Sequence, residues 1–181
     1  APSNHRYDAI NYMKIDPMLG TEADFDALVE AAHGHGIRIV LDAVYNHCSV
    51  DSLYFGSGPL YKDVVGAVES KESLYYRWFD FIDWPKDWVG WIGLKHMPEF
   101  RECPEVEEFF TGPNGPTAHW TKHGVDGWRT DVTGCNSDEF WRRWRRRLDR
   151  LNPSNYTISE EWENASHYLL GDMFSATMNY R

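Results

Sequence analysis

Apolar strand-like segments alternate with helical segments along the sequence, and this alternation is the feature that most limits the fold. The segment IRIVLDAVY at 37–45 is almost continuously apolar, as expected of a parallel strand that is buried on both faces. Further strands are predicted in VDGWRTDVT at 125–133, YTISEEW at 156–162 and MFSATMNY at 173–180. Because parallel strands need crossover connections, the order predicts an α/β fold in which helices cover a parallel sheet.

Capping residues indicate where the helices begin. Thr21 with Asp24 predicts one helix start, Pro104 predicts a short acidic helix, and a second helical piece after TGPNGP is expected to run to about His123. Asn136 with Glu139 predicts the cap of the next helix, and a short helix is expected near 166–171. Residues 48–104 are rich in Gly, Pro and aromatic residues and predict a long excursion with little regular structure.

The helix after Asn136 carries the one basic run of the chain. Its predicted apolar stripe consists of Phe140, Trp144, Leu148 and Leu151. The arginines at 142, 143 and 145–147 fall between these positions. Helical spacing therefore predicts that the arginines form a solvated outer face rather than a nucleic-acid site.

Composition limits the class of partner. The 181 residues have a net charge of −10, and 15% of them are aromatic. The acidic balance argues against a nucleic-acid backbone as partner, because such binding draws most of its affinity from basic patches. Flat rings, in contrast, suit the faces of sugars. No segment approaches the roughly 20 apolar residues of a membrane span, and the first residues lack a signal-peptide layout. A soluble protein is expected, and between the cytoplasm and secretion the cytoplasm is slightly preferred.

The spacing of the cysteines indicates neither a disulfide nor a metal site. Cys48, Cys103 and Cys135 are odd in number and show no CxxC or histidine-linked spacing. They predict neither a disulfide framework nor a zinc site.

Acidic residues follow several predicted strands at the point where each strand ends. Asp42 comes late in the first strand, Arg129 and Asp131 late in the second, and Glu160 with Glu161 at the end of the third. In α/β folds, ligands bind beyond the carboxyl ends of the strands. We therefore expect these charged side chains to meet at one edge of the sheet.

Each of these residues also has a purely structural interpretation. Asp42 alone could cap the following turn, and Arg129 with Asp131 could form one internal ion pair, since alternate residues of a strand point to the same face. His47 taken alone is more often structural than catalytic. The joint occurrence at equivalent strand ends favours one site over several independent coincidences.

Five stretches together carry a resemblance to a known family. LDAVYNHCS, VDGWRTDVT and ISEEW occur in the order and contexts of conserved regions of the α-amylase superfamily of (β/α)8-barrel glycoside hydrolases. SNHRYDAINYMKIDPMLGT resembles the loop after the second barrel strand, and HMPEF resembles the motif that closes the domain B excursion. The SNHRYD opening, LYYRWF and MFSATMNY are most similar to the cyclomaltodextrinase, neopullulanase and maltogenic amylase branch.

The resemblance covers essentially the whole chain and implies a fold and a domain division. It implies an α/β, (β/α)8 TIM barrel that is partial, with about strands three to six present, and a small irregular domain B excursion. Residues 1–47 and 105–181 would be barrel segments, and 48–104 the domain B-like excursion. The third carboxylate of such enzymes, an Asp after the seventh strand, would fall outside the chain, so the 181 residues alone are expected to be inactive and prone to aggregate.

The resemblance also implies roles for the polar residues. Asp131 matches the nucleophile, Glu160 the general acid/base, and Arg129 the arginine that keeps the nucleophile ionised and oriented. A retaining glycosidase needs its two carboxyl groups about 5–5.5 Å apart, with a low pKa on the nucleophile and a raised one on the acid. The residues matched to substrate binding are Tyr7, Asp42, His47 and Trp162.

A calcium ion is the one cofactor that the resemblance allows, and no other is required. Asn46 matches a residue that ligates calcium in many amylases, although this branch often lacks that site. The implied partners are α-glucan or cyclodextrin oligosaccharides, with neither nucleic acid nor membrane, and the resemblance leaves room for a homo-oligomer.

The implied reaction is retaining hydrolysis of α-1,4-glucosidic bonds in maltodextrins or cyclodextrins, with transglycosylation as an additional outcome. Thr130 replaces the usual Leu, and TGC at 133–135 replaces a segment that normally contributes polar groups to the acceptor site, which leaves the product specificity open. SEEW makes Glu161 a rival to Glu160, although register with Trp162 favours Glu160. The alternatives are an α-glucosidase or glucan-rearranging relative, and a catalytically inert barrel used for carbohydrate binding or assembly.

Overall fold

The computed structural model describes residues 1–56 and 58–180, and the chain divides into two compact units. The first unit consists of Ala1–Tyr12 and Val44–Val106, and the second of Met13–Ala43 and Glu107–Arg181. The predicted excursion at 48–104 falls within the first unit, except for Ser57, which lies outside the described residues. The predicted division into 1–47, 48–104 and 105–181 stays a prediction.

Helices and strands alternate in the second unit as the sequence predicted. The described strands of the chain are β1 Val40–Ala43, β2 Phe81–Asp83, β3 Asp87–Trp88, β4 Gly127–Thr130, β5 Tyr156–Ser159 and β6 Ala176–Thr177. The α-helices are α1 Glu22–Gly34, α2 Pro104–Thr111, α3 Pro116–Lys122 and α4 Asp138–Leu151. Short 3-10 turns cover Pro59–Tyr61, Tyr76–Trp78, Trp91–Gly93, Thr133–Cys135 and Ser166–Leu169.

The second unit contains a parallel sheet with the order β1-β4-β5-β6. Its register places Asp42 opposite Arg129, and Arg129 opposite Ile158. The predicted parallel α/β architecture is therefore confirmed. The expectation that 37–45 is buried on both faces is wrong, because Ile37 and Val40 are exposed, and β1 pairs with β4 alone at the edge of the described sheet.

The predicted N-cap of α1 is correct, and the predicted N-cap of α4 is wrong by one residue. Thr21 and Asp24 form the predicted capping box of α1. The N-cap of α4 is Ser137 rather than Asn136, since the Ser137 side chain accepts the N–H of Phe140. Both residue types can cap, so local preference alone did not separate them.

Helix α4 buries one side against the sheet unit. Its buried residues are Phe140, Trp141, Trp144 and Leu148. Trp141 was missing from the predicted stripe, whereas Leu151 was included but is 38% exposed at the end of the helix. Trp141 packs edge-on to Phe174, and its Nε1–H donates to the carbonyl of Thr133 at 2.9 Å.

The basic run of α4 does more than face solvent. Arg143 forms two hydrogen bonds to Glu107, at 2.6 and 2.7 Å, and Arg145 donates to the side chains of Asp149 and Thr157. Arg147 donates to Thr111 at 2.6 Å. The arginines therefore tie α4 to its neighbours through acids and hydroxyls of the chain itself.

The first unit is held by aromatic side chains and carries little regular structure, as predicted for the excursion. Strands β2 and β3 form an antiparallel pair. Buried rings pack together around Tyr54 and Phe55. Gly56 has a φ of 93°, and a Cβ there would lie 2.4 Å from Cα of Gly66, so this close backbone approach requires glycine.

None of the three cysteines, all of which lie in the described ranges, forms a disulfide, and Cys48 is buried. None of the helices in the described ranges has both the length and the apolar character that a bilayer crossing needs.

Candidate active site

The sheet brings charged residues to the carboxyl ends of three neighbouring strands. Asp42 and Arg129 lie in register on β1 and β4. Asp131 follows β4 directly, and its N–H donates to the carbonyl of Ala43 at 3.1 Å. Glu160 follows β5 directly, and its N–H donates to the carbonyl of Thr130 at 3.0 Å. Backbone pairing therefore continues one residue beyond each strand. This pairing fixes the backbone positions of Asp131 and Glu160, from which the two carboxylate side chains extend.

The guanidinium of Arg129 contacts three carboxylates. Nη1 of Arg129 lies 2.7 and 2.9 Å from the two oxygens of Asp42 and 2.8 Å from Oδ1 of Asp131. Nη2 lies 2.8 Å from Oε2 of Glu160. A planar guanidinium suits this arrangement because its donors point in fixed directions and its charge is permanent. The sequence expectation that Arg129 contacts Asp131 agrees with this geometry.

Glu160, rather than Glu161, joins the cluster. Oε2 of Glu160 accepts the N–H of Val132 at 2.8 Å, and Oε1 accepts the O–H of Tyr180 at 3.0 Å and Nε1–H of Trp162 at 3.2 Å. Glu161 instead accepts the N–H of Glu163 at 3.0 Å. These contacts place Glu160, and not Glu161, beside Arg129, while the choice between them as the general acid stays a prediction.

Tyr180 and the backbone of Val132 were not identified from the sequence. Tyr180 lies three residues past β6, so the rule that sites form beyond the carboxyl ends of strands could have found it. The Val132 N–H left no signal, because every residue except proline supplies a backbone donor.

The residue after Asp131 has a strained backbone. Val132 adopts φ 40° and ψ 57°, a left-handed conformation that is costly for a β-branched residue. The turn it starts also lets the N–H of Thr133 donate to the carbonyl of Glu160 at 3.0 Å. Two backbone donors of the turn after β4 therefore bond to Glu160, and these bonds compensate the strain.

The pKa values of the two carboxyl groups are ordered opposite to the sequence expectation. Burial raises the pKa of Asp131 to about 6, and the shared Arg129 offsets this only in part while Asp42 and Glu160 add repulsion. Burial also raises the pKa of Glu160, but the Val132 N–H, Trp162, Arg129 and Tyr180 outweigh it, so its pKa is lowered. The expectation of a low pKa on Asp131 and a raised one on Glu160 is therefore wrong for the free site.

Arg129 itself stays charged. Burial opposes the charge, but hydrogen bonds and attraction from Asp42 and Asp131, with Glu160, raise the pKa of the guanidinium above its ordinary value. One positive charge thus faces up to three negative ones. The free site favours keeping one proton on the carboxylate pair.

The remaining predicted residues divide between the units. Trp162 belongs to the second unit, is 55% exposed, and donates to Glu160. Tyr7, Asn46 and His47 belong to the first unit. His47 is 1% exposed there, stacks on Trp91 at a centroid distance of 5.1 Å, and burial lowers its pKa to about 4. Assembly of both sets into one site stays a prediction.

The contacts of Asn46 do not fit a calcium ligand. Its Oδ1 lies 3.1 Å from Nδ1 of His47, and its Nδ2 donates to Glu99 at 3.3 Å. Calcium takes six to eight oxygen ligands. The amide oxygen of Asn46 instead lies against a ring nitrogen, and Glu99 is the carboxylate that contacts its side chain. Calcium therefore has no part in the chemistry derived below.

Comparisons with known proteins agree with the fold. The model of the family described as "Alpha amylase, catalytic domain" matches residues 1–181. The chain is 37% identical over 190 residues to a maltogenic alpha-amylase of Bacillus acidopullulyticus and 36% identical over 188 residues to neopullulanase 2 of Thermoactinomyces vulgaris. Each match covers 99% of this chain and 30% of the relative, so the chain spans about a third of the relatives' length.

A solved structure shows the same backbone arrangement. The cyclic alpha-maltosyl-(1→6)-maltose hydrolase from Arthrobacter globiformis, in complex with cyclic alpha-maltosyl-(1→6)-maltose, matches with a TM-score of 0.87 at 34% identity. The match covers 99% of this chain and 40% of that protein. The predicted family and partial TIM-barrel fold are confirmed.

Proposed function

Because the chain belongs to the family of α-amylase catalytic domains, we propose that the protein is a retaining glycoside hydrolase that cleaves α-1,4-glucosidic bonds of maltodextrins or cyclodextrins. The observation that carries the proposal is the placement of Asp131 and Glu160 on the same guanidinium, each within 2.8 Å of Arg129. Retaining hydrolysis needs two carboxyl groups that flank one bond. The names of the maltogenic and maltosyl-cleaving relatives support the substrate class.

The first step uses both carboxyl groups. Protonated Glu160 gives its proton to the glycosidic oxygen while Asp131 attacks the anomeric carbon. The carbon–oxygen bond to the leaving sugar breaks, and an ester between the sugar and Asp131 forms. Arg129 holds Asp131 in position and remains a donor to Glu160 and Asp42.

The second step reverses these roles. Glu160, now ionised, removes a proton from water, and the oxygen attacks the anomeric carbon and releases Asp131. Two inversions at the same carbon leave the α configuration unchanged. When a sugar hydroxyl replaces water, the product is a longer glucan, which accounts for transglycosylation.

Substrate binding has to reverse the order of the two pKa values. In the free site Trp162 and Tyr180 are two of the donors that, after the Val132 N–H, lower the pKa of Glu160, and both are more than half exposed. Sugar hydroxyls that accept from these donors would withdraw them from Oε1, and a bound ring would exclude water. Both changes raise the pKa of Glu160 and favour transfer of the shared proton to it.

Azide rescue separates the two proposed roles. Asp131→Ala leaves a space in which azide attacks the substrate once, so the product is the β-glucosyl azide. In Glu160→Ala azide attacks the ester on Asp131, so the product is the α-glucosyl azide. An activated substrate such as an α-glucosyl fluoride is used, because it needs little acid assistance, in a polypeptide that carries this chain.

Glu161→Ala is the matched control, since Glu161 is the adjacent glutamate and bonds to the N–H of Glu163 instead of joining the cluster. It should keep most of the activity and give no azide product. The same anomer from both variants, or unchanged turnover in either, would refute the assignment. A parent protein that binds maltodextrin without turnover would favour the inert-barrel alternative.

A further inference from the structure

Two histidines and a glutamate form a cluster in the second unit, apart from the strand-end carboxylates. His119 and His123 lie four residues apart at the end of α3, so they share one face of the helix, and Glu22 is the first residue of α1. One ligand atom from each of the three residues lies within 4.8 Å of the other two. Imidazoles at this spacing on a helix are a recurring way of holding a metal ion.

The surroundings of the histidines resemble those of metal ligands. Nδ1 of His123 lies 2.6 Å from Oδ1 of Asp26. Because an ionised carboxylate can only accept, Nδ1 carries the hydrogen, and in the neutral ring Nε2 then presents its lone pair. A carboxylate behind the ligating imidazole is the usual orienting partner in metal sites.

His119 has an unused ring nitrogen. Its Nε2 is buried and makes no hydrogen bond among the described residues. A buried nitrogen without a partner is costly, and a bound cation would satisfy it.

Lys14 is the group that opposes a cation at this place. Its Nζ lies 3.2 Å from Oε1 of Glu22. The pair is solvent-exposed, so its contribution to stability is small, and Lys14 can swing away on a flexible stem. A divalent cation would compete with Lys14 for the glutamate.

The helices that carry the cluster already pack together. The rings of Phe25 on α1 and Trp120 on α3 meet edge to face at a centroid distance of 5.3 Å. A tetrahedral zinc ion about 2.0–2.1 Å from each ligand would need ligand atoms roughly 3.3 Å apart. The three ligand atoms now lie within 4.8 Å of one another, so side-chain rotations would have to draw them together to reach that spacing.

The geometry points to Glu22, His119 and His123 as a binding site for a zinc-like divalent transition metal that joins α1 to α3, with Asp26 orienting His123. Two nitrogen donors and one carboxylate suit zinc, cobalt or nickel, whereas calcium and magnesium prefer oxygen alone. The fourth position is open to water. The ion would stabilise the second unit by linking 13–43 to 107–181, and it takes no part in glycosidic cleavage.

Titration with zinc sulfate, followed by calorimetry, tests the site, with Co²⁺ absorption as the spectroscopic signature of nitrogen ligation. The parent should bind one equivalent of zinc, and the temperature of unfolding should rise with zinc concentration. Glu22→Gln, His119→Gln and His123→Gln should each weaken binding tenfold or more, and Asp26→Asn about tenfold. His35→Gln is the matched control, because His35 is exposed at the end of α1 and lies outside the cluster.

Lys14→Met should tighten zinc binding, because it removes the cation that competes for Glu22. A gain in affinity cannot be explained by a variant that fails to fold. Circular dichroism identifies any glutamine variant that fails to fold. The inference is overturned if the parent shows no saturable binding near one equivalent. It is also overturned if His119→Gln/His123→Gln binds zinc as the parent does, or if His35→Gln loses as much affinity as the cluster variants.

Discussion

The backbone N–H of Val132 donates a 2.8 Å hydrogen bond to Oε2 of Glu160, 28 positions away in the sequence. Val132 reaches this position only in a left-handed conformation, which is costly for valine. The bond therefore couples the turn after Asp131 to the carboxylate after β5. The proposed nucleophile and acid are positioned by each other's loops as well as by Arg129.

Replacement of Arg129 should separate the effect of charge from that of shape. Arg129→Ala should destabilise the fold by about 3–5 kcal/mol, because it leaves three carboxylates without their common partner. Arg129→Lys keeps the charge but cannot bridge three acids, so its unfolding free energy should lie between those of the parent and Arg129→Ala. Urea unfolding of a polypeptide carrying this chain gives the order.

Arg142→Lys is the control for that series, since Arg142 pairs with Asp172 and Asp138 at the surface. It should cost less than about 1 kcal/mol. Equal losses in Arg129→Lys and Arg142→Lys would contradict a shared role for the buried guanidinium.

Tyr180→Phe should raise the pKa of Glu160. The phenol donates to Oε1 at 3.0 Å and stabilises the ionised carboxylate, so its loss favours the protonated acid. The alkaline limb of the kcat/KM profile should therefore move to higher pH, because that limb reports loss of the proton that the free site keeps on the Asp131–Glu160 pair. Tyr156→Phe, an exposed tyrosine on β5, should leave the limb in place. An unmoved limb in Tyr180→Phe would exclude this hydrogen bond as a determinant of the acid's pKa.

Local sequence signals predicted the elements well and the contacts within the site less well. The capping pair Thr21 and Asp24 and the strands around Asp42 and Arg129 follow from short-range patterns. Trp141 was missed because its burial depends on Phe174, which is distant in the sequence. Tyr180 could have been found from its place just past β6, whereas the pKa order was wrong because the number of donors around Glu160 is set by the assembled fold.

The stability of the fold should depend on pH through Asp131. A folded pKa of about 6 exceeds the ordinary value of 3.8, so the folded state binds the proton more tightly and loses stability as pH rises from about 4 to 6. Asp131→Asn cannot ionise and avoids this loss. Its unfolding free energy should exceed that of the parent at pH 7 by on the order of 1 kcal/mol and approach it near pH 4.

Glu161→Gln serves as the comparison for that measurement, because Glu161 bonds to the N–H of Glu163 and is not among the acids on Arg129. Glu161→Gln keeps Asp131, so it should show the parent's loss of stability over the same pH range. A parent that gains stability between pH 4 and 6 relative to Asp131→Asn would show that the sign for Asp131 is wrong.

Two leucines of α4 form a matched pair for core packing. Leu148 is fully buried and Leu151 is 38% exposed, although both belong to the stripe predicted from the sequence. Leu148→Ala should cost about 2–5 kcal/mol because it leaves a cavity. Leu151→Ala should cost less than about 1 kcal/mol. Similar costs in urea unfolding would mean that the helix end packs differently.

Trapping of the covalent intermediate tests the central claim most directly. A 5-fluoro-α-glucosyl fluoride transfers its sugar to the nucleophile and is released slowly, because the fluorine destabilises the positive charge that develops in both steps. After proteolysis of the treated polypeptide, mass spectrometry locates the added fluoroglucosyl group. The account predicts an ester on Asp131, formed in the parent and in Glu161→Gln and absent from Asp131→Asn. An ester on Asp42 or Glu160, or none in a protein that turns over maltodextrin with retention, would contradict it.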